Sequence, residues 1–182
     1  MSKLRKIIGV SGRPGTGKTT LFREFMKGYE WELVEPQKLV SAHYCKELDL
    51  YVLGKYEEGQ VFAGTDRLSM AVMPEAIKFI TESKSNILFE GDRLTSQKFF
   101  DFLIGLPDTD VKFIVVSIPE KTFKTRYEER GSSQNEQFLR GRETKINNIL
   151  SNFDYMSYVE EFENKDFDDQ AKILTCIHSF YN

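Results

Sequence analysis

Residues 12–19 read Gly-Arg-Pro-Gly-Thr-Gly-Lys-Thr and satisfy the G-x-x-x-x-G-K-S/T pattern in full. Such a loop works only between a strand and a helix. Its glycines let the backbone turn several N–H groups onto one anion, and the following helix directs its positive end at the same point. The flanks meet that condition: Ile7 to Val10 is an apolar run that predicts a buried strand, and Lys18 to Lys27 predicts a helix. Gly12, Arg13, Pro14, Gly15, Thr16, Gly17, Lys18, Thr19 and Thr20 are therefore the expected cradle of a nucleoside triphosphate. Lys18 is expected to reach the β- and γ-phosphates, and the Thr19 hydroxyl to hold Mg²⁺.

The 182 residues carry 25 Lys and Arg against 28 Asp and Glu, a net charge of −3. That length predicts one domain over residues 1–182, with a core of its own. The charge argues against a general polyanion binder, so any nucleic-acid contact has to be a local basic face. Cys45 and Cys176 lack a metal-ligand spacing and point to a reduced compartment. The N-terminal apolar run is too short for a signal peptide or a membrane span. A cytoplasmic protein with no membrane partner is expected; the oligomeric state is left open.

Downstream of the loop, strands and helices alternate. Trp31 to Val34 predicts a strand interrupted at Pro36, and Leu39 to Cys45 with Leu48 to Lys55 predicts a β-hairpin. The hairpin reads as an insertion over about residues 39–62, whose Tyr51, Lys55 and Tyr56 either line an acceptor site or pack the hairpin itself. Leu68 to Ser83 predicts a helix that Pro74 should kink or divide. Asp66-Arg67 precedes it, either as a capping acid or as a base beside an anion clamp. Asn86 to Phe89 predicts a buried strand ending in Glu90-Gly91-Asp92-Arg93, the Walker B pattern, and makes Glu90 and Asp92 candidate magnesium acids. A Phe-rich helix from Ser96 to Leu106 and a third buried strand from Val111 to Ile118, closed by Pro119, follow.

From Glu120 the pattern turns helical, breaks at Gly131-Ser-Ser, and resumes from Asn135 to Asn152. Between Lys121 and Lys145 there are seven basic and four acidic residues, a basic stretch in an acidic chain. This is either a solvated helix face or an Arg-rich lid over about residues 120–150. Arg126 and Arg130 share one face, as do Arg142 and Lys145. A last strand is expected at Tyr158 to Phe162, and Asn164-Lys165-Asp166 opens a helix running to about Phe180. Asn164-Lys165-Asp166-Phe167 misses the guanine-reading N-K-x-D at its last position, which counts against a GTPase switch and favours ATP as the donor. The alternation as a whole predicts a three-layer α/β fold with a mainly parallel sheet.

The layout resembles the nucleoside- and nucleotide-kinase branch of P-loop proteins, which implies a five-stranded sheet with the phosphate-loop strand central. More narrowly, LGKY (53–56), F-x-G-T-D-R-L-S (62–69), L-F-E-G-D-R-L (88–94) and R-G-R-x-T-K-x-x-N-I (140–149) resemble the phage hydroxymethyluracil DNA kinases. Those enzymes use ATP to phosphorylate the 5-hydroxymethyl group of a modified base in DNA, so the resemblance implies a DNA acceptor and an infected host cell. It implies that Asp66 takes the proton from the acceptor hydroxyl, that Glu90 and Asp92 are the magnesium acids, either able to exchange roles with Asp66, and that Arg126 and Arg130 stabilise the transferring phosphoryl group. Arg140, Arg142 and Lys145 would act with them or touch the DNA backbone. The base would be flipped out or single-stranded, with the hairpin tyrosines stacking on it. The acidic chain implies weak, salt-sensitive DNA binding. Asp66-Arg67 and Asp92-Arg93 also resemble the elements with which thymidylate kinases grip an acceptor phosphate, which makes Arg67 and Arg93 substrate contacts and a deoxynucleoside monophosphate kinase the rival reading. A third reading is a nucleotide-binding regulatory protein without transferase activity.

Overall fold

Ile7 and Ile8 are both fully buried, yet they belong to two different cores. A strand covered on both faces produces this, because successive side chains point to opposite sides of a sheet. The computed structural model, which describes residues 3–60, 62–129 and 136–182, places them in β1 (Arg5–Ser11). The strands that follow are β2 (Glu32–Gln37), β3 (Val40–Cys45), β4 (Leu50–Leu53), β5 (Asn86–Glu90), β6 (Thr109–Ser117) and β7 (Val159–Glu163). They form a seven-stranded sheet in the order β2-β3-β4-β5-β1-β6-β7. Pairing is parallel from β4 to β7 and antiparallel along β2-β3-β4.

The phosphate-loop strand lies in the middle of the five parallel strands, but the sheet has seven strands rather than the five that the resemblance implies. The expected hairpin is present as β3 and β4, yet it is part of the main sheet and not an insertion beside it. β4 is itself a core strand, with Val52 in register with Leu88 of β5, and β3 and β2 continue the same sheet. Leu50, Val52 and Leu53 are fully buried, which is why apolar residues fell on both faces of this run. Pro36 does not end β2: the strand is at the sheet edge, and its register shifts between Val34 and Gln37, where a missing N–H costs no ladder bond.

Six helices cover the sheet among the described residues. α1 (Lys18–Met26) and α6 (Phe167–Tyr181) pack on the Ile8 face, with Phe22, Phe25, Ile173 and Ile177 buried there. Tyr181 ties that layer to the sheet: its hydroxyl accepts from the Ile8 N–H and donates to the Ile87 carbonyl. α2 (Val72–Glu82), α3 (Gln97–Ile104) and α5 (Glu136–Ser151) pack on the Ile7 face through Val72, Phe99 and Ile149. Pro74 neither kinks nor divides α2. The helix starts at Val72 rather than Leu68, so Pro74 falls in the first turn, where no intrahelical N–H bond is lost. α4 (Glu120–Glu129) follows β6. Arg130 and the Gly131-Ser-Ser break lie outside the described residues. Among the described residues, no helix is long and apolar enough to cross a membrane.

Candidate functional site

The loop between β1 and α1 is shaped by two glycines in the left-handed region, Gly15 at φ 82° and Gly17 at φ 90°. Gly17 has a second reason to be glycine: a Cβ there would lie 2.6 Å from Asn164 Nδ2. Lys18 folds back over the loop and donates from Nζ to the carbonyls of Gly12 (2.7 Å) and Arg13 (3.0 Å). The Thr16 hydroxyl donates to the Arg13 carbonyl at 2.8 Å. Arg13 itself turns outward, pairing with Glu120 at 2.9 Å and stacking 3.8 Å from the Phe123 ring centroid. Its backbone shapes the cradle while its side chain braces α4.

The parallel register Val10↔Glu90 brings the end of β5 beside the start of the loop. Glu90 is 2% exposed and accepts hydrogen bonds at Oε1 from the hydroxyls of Thr19 (3.3 Å) and Tyr56 (3.1 Å). Burial raises its carboxyl to about 7; the Asp66 charge adds to the rise, while Lys18 and the two hydroxyls oppose it. Among the described residues no group of three or more His, Cys, Asp or Glu could hold a metal. Thr19 with Glu90 nevertheless fits Mg²⁺, which binds through one or two protein oxygens and substrate phosphates rather than an all-protein cage. Asp92 has other company: its Oδ1 pairs with Arg142 at 2.5 Å and Lys145 at 2.9 Å.

The folded protein holds the Glu90 proton more tightly than an unfolded chain with the ordinary value of 4.5. This group's contribution to stability is therefore greatest below about 4.5, falls as pH rises to about 7, and is level above it. In metal-free protein, Glu90→Gln should remove that fall, worth on the order of 2–3 kcal/mol between acid and neutral pH. Denaturant titrations from acid to neutral pH read it directly; parallel curves for the two proteins would mean that folding leaves the Glu90 proton affinity unchanged.

Asp66 lies in a 3-10 turn, Thr65–Arg67, that follows Gly64 at φ 70°. The turn is fastened to the end of β5 by Thr65 Oγ1, which donates to the Glu90 carbonyl at 2.8 Å. Asp66 caps no helix: its Oδ1 accepts from the Asp92 N–H at 2.8 Å. A Cβ on Gly91 would come within 2.6 Å of Thr65 Oγ1 and 3.1 Å of Asp66 Oδ1, so the two acid–Arg turns pack with no room for a side chain between them. Arg93 Nε donates to the Leu68 carbonyl at 3.3 Å. Arg67 reaches the half-exposed Glu57 at 3.4 Å through Nη2, while its buried Nη1 has no hydrogen-bond partner among the described residues.

These groups line a cleft of about 1040 Å³. The phosphate loop lies between two sets of neighbours. On one side, linked to it through Glu90, are Asp66, Arg67, Asp92, Arg93, Arg142 and Lys145. On the other are Arg126 and the segment from Asn164 to Phe167. Arg126 donates to the Gly15 carbonyl at 3.5 Å and the Lys165 carbonyl at 3.3 Å, so it spans the loop and the start of α6. Burial lowers the proton affinity of both Arg142 and Lys145, as expected for cations drawn into a cleft.

Four expected substrate contacts are not brought into the cleft. Tyr51 packs against Tyr44 and edge-on to Phe79. Tyr56 stacks on Phe22 and spends its hydroxyl on Glu90, with burial and the Glu90 charge holding its proton well above the usual range. Lys55 enters only through a backbone bridge to Gly64. Arg140 is exposed and pairs with Glu136 along its own helix. Conversely, Asn164 is a buried side chain whose Nδ2 donates to the Thr16 carbonyl at 2.9 Å, holding the phosphate loop from β7. Its position directly after a strand and before a helix was the available signal. Phe62 and Phe138 also line the cleft, with no motif to point to them.

No curated protein matches the chain. Among solved structures, a gluconokinase from Sinorhizobium meliloti 1021 is similar at 14% sequence identity, over 98% of each chain, with a TM-score of 0.47. The family model described as P-loop nucleotide kinase 3 matches residues 3–165, and the chain belongs to that family.

Proposed function

We propose that this protein transfers the γ-phosphoryl group of ATP to a hydroxyl on a nucleotide unit, and that the unit is 5-hydroxymethyluracil in DNA. One observation carries the reading. The four segments that resemble the hydroxymethyluracil DNA kinases, far apart in sequence, meet around the ends of β4 and β5. Tyr56 reaches Glu90, Asp66 holds the Asp92 N–H, and Arg142 with Lys145 closes on Asp92.

In the reaction, the acceptor oxygen forms a bond to the γ-phosphorus as the bond to the β-phosphate oxygen breaks, and ADP leaves. Asp66 receives the acceptor proton. Lys18 exchanges its loop carbonyls for β- and γ-phosphate oxygens, with Arg126 adding fixed positive charge from the loop's other side. Bound Mg²⁺ supplies charge neutralisation on the phosphates. Most of the rate comes from position and electrostatics, since phosphoryl transfer leaves a protein little covalent chemistry.

A deoxynucleoside monophosphate is the second acceptor with support of its own. Arg67, whose Nη1 has no hydrogen-bond partner among the described residues, lines one cleft with Arg93, Arg142 and Lys145, which suits an acceptor that carries a phosphate. An acceptor panel separates the readings. With γ-labelled ATP and Mg²⁺, label should pass to hydroxymethyluracil-containing DNA and not to ordinary DNA or to free monophosphates. Label on monophosphates alone would overturn the DNA reading, label on 5′-hydroxyl ends would make this a polynucleotide kinase, and binding without transfer would leave a regulatory protein.

A further inference from the structure

The hairpin tyrosines expected to stack on an acceptor base lie outside the cleft, packed against Tyr44, Phe79 and Phe22. Two phenylalanines are in place. Phe62, shortly before the Thr65–Arg67 turn, lines the cleft while remaining 44% exposed. Phe138 lies one helical turn before Arg142 on α5, and the Arg142 guanidinium sits 4.3 Å from its ring centroid. That guanidinium also pairs with Asp92, so ring and cation are fixed to the acid–Arg turns together. Arg67, Arg93 and Lys145 line the same cleft, and Lys145 pairs with the same Asp92 as Arg142. Aromatic rings interleaved with cations suit a planar base attached to phosphates. The volume of about 1040 Å³ is at the top of the range for single-ligand pockets and leaves space beside a donor nucleotide.

We infer that Phe62 and Phe138 form the stacking surface for the base of the acceptor nucleotide, with Arg67, Arg93 and Lys145 left to its phosphates. The inference rests on the acceptor being a nucleotide unit, as proposed above, and it names the side chains that hold the base rather than those that react.

Equilibrium binding of matched probes tests it, in the presence of Mg²⁺ and a non-hydrolysable ATP analogue. One pair is a single-stranded oligonucleotide with a central hydroxymethyluracil and the same oligonucleotide with a central abasic site. The other is thymidine monophosphate and deoxyribose 5-phosphate. In at least one pair the wild-type protein should prefer the base-bearing probe by about 10-fold or more, the scale of one base–aromatic stack. Phe62→Ala combined with Phe138→Ala should bring that preference to near unity. Phe62→Trp should keep it, which separates a stacking role from a folding defect. No preference in either pair, or a preference that survives the double substitution, would overturn the inference. A preference confined to the monophosphate pair would support the stacking surface while overturning the DNA acceptor, so the two ideas fail separately.

Discussion

Lys18→Ala should reduce phosphoryl transfer by about 10³-fold with every acceptor while leaving the fold in place. The size follows from what Lys18 is able to do. Its Nζ is held over the loop by the Gly12 and Arg13 carbonyls, at 2.7 and 3.0 Å, where incoming phosphate oxygens can replace them. The other cations around the loop have different positions: Arg126 reaches the Gly15 and Lys165 carbonyls, and Arg142 and Lys145 pair with Asp92. Thermal unfolding beside single-turnover transfer checks both halves. A variant that keeps a tenth or more of the wild-type rate would remove Lys18 from the transition state.

Asp66→Asn is the second substitution with a large expected effect, a loss of about 10²- to 10⁴-fold in kcat if Asp66 accepts the proton of the acceptor hydroxyl. Asparagine keeps an Oδ1 acceptor for the Asp92 N–H, so the 2.8 Å bond joining the two acid–Arg turns survives and the site stays assembled. What the variant lacks is the basic oxygen. A monophosphate acceptor, already ionised, needs no such base, and on that reading the same variant would turn over near normally. Comparing kcat of the two proteins on each active acceptor therefore tests the residue and its role together.

The fold was legible where burial leaves a plain pattern. β1, β5 and β6 are buried on both faces and read as unbroken apolar runs, and the phosphate loop fixed the order of strand, loop and helix. β4 misled for the same reason in reverse. It is four residues long and almost wholly buried, and its apolar content on both faces marked a core strand; the hairpin with β3 was read correctly, but as an insertion rather than as part of the main sheet. Within the site, Arg142 and Lys145 were legible from their spacing of three on one helix, and both reach Asp92. Arg140 differs from them only in its helix face, which turns it to Glu136 and solvent. The roles of Tyr56 and Asn164 depend on tertiary contacts: one spends its hydroxyl on Glu90, the other its amide on the Thr16 carbonyl, with only Asn164's place between strand and helix as a local signal.

Locating the transferred phosphate tests the central claim most directly. Hydroxymethyluracil-containing DNA would be incubated with ATP, Mg²⁺ and the protein, digested to 5′-mononucleotides with nuclease and no phosphatase, and the products resolved by mass spectrometry. The account predicts a hydroxymethyl nucleotide carrying a second phosphate, on its 5-hydroxymethyl oxygen, formed with the wild-type protein and about 10³-fold more slowly with Lys18→Ala. Hydroxymethyl nucleotide with its backbone phosphate alone throughout, with ATP consumed against another acceptor, would contradict it.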